Sequence, residues 1–118
     1  MRIVISDFLF PHDPGRLIRR LAAGSSALWV IQVLNAWESQ PTELGGRRLI
    51  DRETGAAMDL KLDRRTIAAY RERLLRLQSE LSGECRRTRS AFVTVIAERG
   101  LMQACRDELC SAGILQVA

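Results

Sequence analysis

Long apolar runs, CxxC pairs and a second histidine are missing from this chain of 118 residues, and lysine is nearly so. Each absence closes off a class of function. No stretch approaches the ~20 consecutive apolar residues that a membrane-spanning helix needs. The first residues read as a strand followed by Ser-Asp, not a basic region followed by an apolar run and a small-residue cleavage site. A cytoplasmic protein with no membrane partner is therefore expected. Cys85, Cys105 and Cys110 are odd in number and unpaired in spacing, as befits free thiols in a reducing compartment. His12 is the only histidine, which excludes a multi-histidine zinc site and leaves any Ser-His-Asp triad resting on one residue. Aromatic residues make up 5% of the chain. The clusters Arg64-Arg65 and Arg86-Arg87-Thr88-Arg89 thus have no interleaved rings on which bases could stack, and no nucleic-acid partner is expected.

What remains is an ordinary globular composition, 47% hydrophobic and 27% charged with a modest net charge of +4. The length suits a single domain spanning 1–118. The run Ile3-Val4-Ile5 reads as a buried-type strand from Arg2 to Ser6. Asp13 followed by Pro14 reads as a helix start, with Leu17, Ile18 and Leu21 on the inner face up to Ala23. Ala27 to Leu34 is a nearly continuous apolar run, predicting a strand covered on both faces. Strand, short helix and strand make a βαβ unit with parallel strands and a right-handed crossover.

Asn35 to Gly46 reads as a polar loop. Leu49-Ile50-Asp51 and Ala57-Met58-Asp59-Leu60, around Arg52-Glu53-Thr54-Gly55, predict a hairpin. Asp63 is placed to cap a helix whose stripe is Ile67, Tyr70, Leu74, Leu77 and Leu81, with Gly83 as its stop. Ala91 to Ile96 reads as a further strand. Leu101 to Ala112 reads as a last helix, with Leu101, Met102, Cys105 and Leu109 inward. The fold class is α/β: a partial, doubly wound sheet of three mainly parallel strands with flanking helices and an inserted hairpin.

Asp7 ends the first strand, where ligands of such sheets bind. It is a candidate metal or phosphate-site carboxylate, or simply a turn carboxylate holding the loop that follows. An aspartyl nucleophile of phosphoryl transfer or hydrolysis is the competing enzyme reading, but the helper carboxylate two positions on is replaced by Leu9. Ser6 should point to the opposite face and act structurally. Trp37, just beyond the second strand, either anchors a partner, as Trp does at binding hot spots, or roofs the sheet's edge; with Glu38 it is a candidate partner-binding residue.

Three segments carry a family likeness. Ile3-Val4-Ile5-Ser6-Asp7-Phe8-Leu9 resembles an "isDF" strand end, and Val33-Leu34-Asn35-Ala36-Trp37-Glu38 a "DPxE" segment with Asn-Ala in place of Asp-Pro. Leu49-Ile50-Asp51-Arg52-Glu53-Thr54-Gly55 resembles an "lxDxETGe" hairpin, with Ala69-Tyr70-Arg71 where a helical "ayr" is usual. Together they resemble the carboxyl-terminal half of a von Willebrand factor A-like domain, of the bacterial family linked to MoxR-type AAA ATPases. The resemblance implies a non-enzymatic protein–protein interaction module acting with such an ATPase in assembling or remodelling proteins. It also implies a Mg²⁺ adhesion site in the complete domain. Only Asp7 maps onto that site, because no Asp-x-Ser-x-Ser segment occurs, and Mg²⁺ binding by this chain alone is not expected. The absent opening strand would leave the first strand as an open apolar edge. Self-association there, or cover from another polypeptide, is the expected consequence.

Overall fold

The computed structural model describes residues 1–41, 44–50 and 57–114. Strand β1 (Arg2–Ser6) leads to helix α1 (Pro14–Ala22), strand β2 (Leu28–Leu34) and a short helix α2 (Ala36–Ser39). The strands β3 (Leu44–Ile50) and β4 (Ala57–Leu62) follow, then the long helix α3 (Arg64–Arg87) and strand β5 (Ala91–Ile96). A turn at Ala97–Arg99 leads into α4 (Leu101–Gln103), which widens into π-type helix over Ala104–Leu109. No helix among the described residues is long and apolar enough to cross a membrane.

The main sheet has the order β1-β2-β5 and is parallel throughout, with Val4 beside Val30 and Val30 beside Phe92. β3 and β4 form a separate antiparallel pair, as the hairpin reading expects; Asp51 and the turn Arg52–Gly55 lie outside the described residues. Two crossovers of one hand stepping in the same direction place both helices on one face. Accordingly Ile18 of α1 and Leu81 and Cys85 of α3 share a buried cluster with Phe8, Leu28 and Val30. Along β2, Leu28, Val30, Gln32 and Leu34 are buried, whereas Trp29, Ile31 and Val33 on the other face are half-buried. Cover is therefore unequal, where the apolar run had predicted two covered faces.

Helix ends follow side-chain chemistry. Asp13 accepts from the Arg16 amide at 3.2 Å and Asp63 from the Thr66 amide at 2.9 Å, each satisfying an amide that the first turn leaves without a partner. Gly83 does not stop α3, which runs on to Arg87. Cys85, one turn beyond Leu81, is buried and extends the apolar stripe. Glu84 meanwhile pairs with Arg87 at 2.9 Å and reaches Arg19 of α1 at 3.4 Å. The helix ends where Arg89 takes a left-handed φ of 56° and the Ser90 amide bonds the Cys85 carbonyl.

The last helix differs from its expected face. Leu101 and Met102 are 77% and 74% exposed, and Ala104 and Ile114 are buried instead. The five-residue spacing of the bonds from Cys110 to Cys105 and from Ile114 to Leu109 rotates the inner face away from the α-helical expectation.

Candidate functional site

The carboxyl ends of the three parallel strands gather Asp7, Asn35 with Glu38, and Glu98 at one border of the sheet. After β1 the chain turns sharply. The Ser6 hydroxyl accepts from the Phe8 amide at 3.0 Å and the Asp7 carboxylate from the Leu9 amide at 2.9 Å. Both are side-chain turns that stand in for backbone bonding. Phe8 sits at φ 59°, left-handed for a bulky residue, and its ring is 1% exposed in the core. Burial of that ring offsets a backbone cost of about 1–2 kcal/mol.

A buried amide holds this turn. Gln32 on the central strand is fully buried, and its Nε2 donates to the Asp7 carbonyl at 2.8 Å. Its Oε1 accepts from the Thr94 hydroxyl of β5 at 2.9 Å and from Gln78 Nε2 of α3 at 3.1 Å. One side chain thus ties β1, β2, β5 and α3 together behind Asp7. The only sequence signal for it is a single amide inside an otherwise apolar strand.

At the end of β2 the expected loop is a capped helix. Asn35 Oδ1 accepts from the Glu38 amide at 2.6 Å, and Glu38 Oε1 accepts from the Asn35 amide at 2.9 Å. This is a capping box, legible as Asn-x-x-Glu. The Glu98 carboxylate accepts from the Ala36 amide. The Glu38 carbonyl accepts from the Tyr70 hydroxyl at 2.6 Å. Burial, then the charges of Glu38 and Asp7, push the Tyr70 phenol above its ordinary range, so α3 brings Tyr70 to the acidic border. Trp37 lies half-buried beside Glu38, its indole N–H buried without an acceptor among the described residues.

Mg²⁺ wants about six oxygens in octahedral array. Asp7 offers one carboxylate, already engaged with Leu9, while Glu38 and Glu98 hold the amides that open α2. No three His, Cys, Asp or Glu side chains converge among the described residues.

The other exposed feature is β1 itself. Among the described residues it is a border strand, paired only with β2. The Arg2 amide bonds the Ala27 carbonyl on the β2 side, so alternation turns the backbone groups of Ile3 and Ile5 outward. Their side chains, on the less covered face, are 49% and 65% exposed. Comparison with protein-family models, curated proteins and solved structures finds no match.

Proposed function

We propose that this chain is a non-enzymatic protein–protein interaction module that receives an extended segment of another polypeptide along β1. The carrying observation is the open border: outward amides and carbonyls at Ile3 and Ile5 beside two exposed β-branched side chains. Such a row of unpaired backbone groups is a ready template for another strand, and parallel sheets are ordinarily covered on both faces. The von Willebrand A-like resemblance supplies the partner class, a MoxR-type AAA ATPase, and a role in assembling or remodelling other proteins. Asp7, Trp37 and Glu38 border the same end of the sheet and belong to the docking surface. A second copy pairing β1 to β1 satisfies the same backbone groups.

The test compares the native chain with Ile5→Lys, whose ammonium is set at an exposed position. Light scattering and calorimetry against a MoxR-type ATPase should show association by the native chain and its loss in the variant. In the complex, hydrogen exchange at the Ile3 and Ile5 amides should slow. A dilution-stable monomer that ignores the ATPase, with those amides exchanging freely, would sink the proposal. So would Mg²⁺-dependent phosphoester turnover abolished by Asp7→Ala.

A further inference from the structure

A groove of about 450 Å³ runs between the β1–α1 connection and α3, within the size range of ligand sites. Its apolar walls include Phe8, Phe10, Leu74 and Leu77, with Tyr70 and Arg73 supplying polar groups and no acidic side chain in the lining. One wall is held rigidly, because Ser6, Asp7 and Gln32 all bond the turn that carries Phe8. Phe10 is nonetheless 49% exposed. Arg76 pairs with Glu72 and Arg87 with Glu84. Arg73, on the same helix, has no ion pair among the described residues.

Two features define the occupant. Apolar walls and an exposed ring call for a bulky apolar group, and an unpaired guanidinium in a lining without acids calls for a carboxylate. Phe10 and Arg73 are both exposed at its rim, so side chains of a polypeptide lying on the surface reach both. Asp7 and Glu38 lie near Tyr70 and make that end unfavourable for a second acid.

We propose that this groove docks an extended polypeptide segment in which a bulky apolar residue stands next to an aspartate or glutamate. The apolar side chain seats against Phe10 and Leu77, and the carboxylate pairs with Arg73. The site does not depend on the β1 border, since neither Ile3 nor Ile5 lines it.

The test is fluorescence anisotropy with an end-blocked, labelled Gly-Ser-Phe-Asp-Ser-Gly peptide and its counterpart with Lys in place of Asp. Arg73→Glu and Phe10→Ser change exposed positions, and a thermal melt checks that each variant folds. The Phe-Asp peptide should bind the native chain and weaken about tenfold or more with Arg73→Glu. The Phe-Lys peptide should bind Arg73→Glu better than the native chain. Phe10→Ser should weaken both, and Ile5→Lys should change neither, which separates this site from the strand-docking reading. Equal binding of the Phe-Asp peptide to native and Arg73→Glu protein would overturn the proposal, as would no binding at millimolar protein or indifference to Phe10→Ser.

Discussion

Replacing Gln32 by leucine tests whether the buried amide holds the sheet's carboxyl border together. The change keeps most of the volume but removes three hydrogen bonds: to the Asp7 carbonyl at 2.8 Å, from Thr94 at 2.9 Å and from Gln78 at 3.1 Å. Asp7 is exposed, so water can replace the bond to its carbonyl at little cost. Thr94 and Gln78 are left with each other at 3.4 Å, a poor substitute. Each buried polar group left without a good partner costs about 1–3 kcal/mol, partly offset by burying leucine instead of an amide. A net loss of about 2 kcal/mol follows, or roughly a 10 °C fall in Tm for a domain of this size. Urea unfolding followed by far-UV circular dichroism reads it directly. The triple change Gln32→Leu, Thr94→Val and Gln78→Leu removes the stranded groups as well and should recover to within about 1 kcal/mol of the native chain. Gln32→Leu should also speed exchange of the Leu9 amide, because the turn behind Asp7 loses its tether. A neutral Gln32→Leu, or three changes whose costs simply add, would refute this account.

At Phe8 the usual order of glycine and alanine should invert. Both substitutions lose the buried ring, at about 3–5 kcal/mol, but the left-handed φ of 59° favours Phe8→Gly over Phe8→Ala by about 1 kcal/mol. Paired thermal melts decide it, and an alanine variant as stable as the glycine one would count against the strain. Cys85 is a second case: burial, then the charge of Glu84, pushes its thiol up to about 11. Its folded form keeps the proton after the unfolded chain, titrating near 8.5, has released it. Stability should therefore be unaffected by this group at neutral pH and fall by at most about 3 kcal/mol between pH 8.5 and 11. Cys85→Val should flatten that slope, and at pH 8 the native thiol should resist alkylation until the chain unfolds; prompt labelling of folded protein would contradict the burial.

Local signals were legible where one residue type forces one geometry. Asp13 and Asp63 announced their helices because a short carboxylate before an apolar stripe has little else to bond. The β strands were legible from β-branched runs, and Arg2–Ser6 and Ala91–Ile96 match the expected bounds. Gly83 misled for a physical reason. Glycine ends a helix by adopting positive φ, Gly83 does not adopt it, and Cys85 one turn beyond Leu81 has a core to enter. The loop expected after Asn35 hid a capping box. Gln32 was out of reach for a different reason: its partners lie 46 and 62 residues away at Gln78 and Thr94. No local pattern encodes that.

The border strand joins these two kinds of information. Ile3-Val4-Ile5 was easy to read as a strand because its side chains are β-branched, and Val4 turns inward to pack on the buried cluster. Alternation then forces Ile3 and Ile5 to the opposite face, whatever else the fold does. With the order β1-β2-β5, two crossovers of one hand place α1 and α3 on the Val4 side. The exposure of Ile5 therefore follows from connectivity, not from a local weakness. A lysine there removes apolar surface without touching the core, so the folded chain should be at least as stable alone while losing its hold on any strand that docks along it.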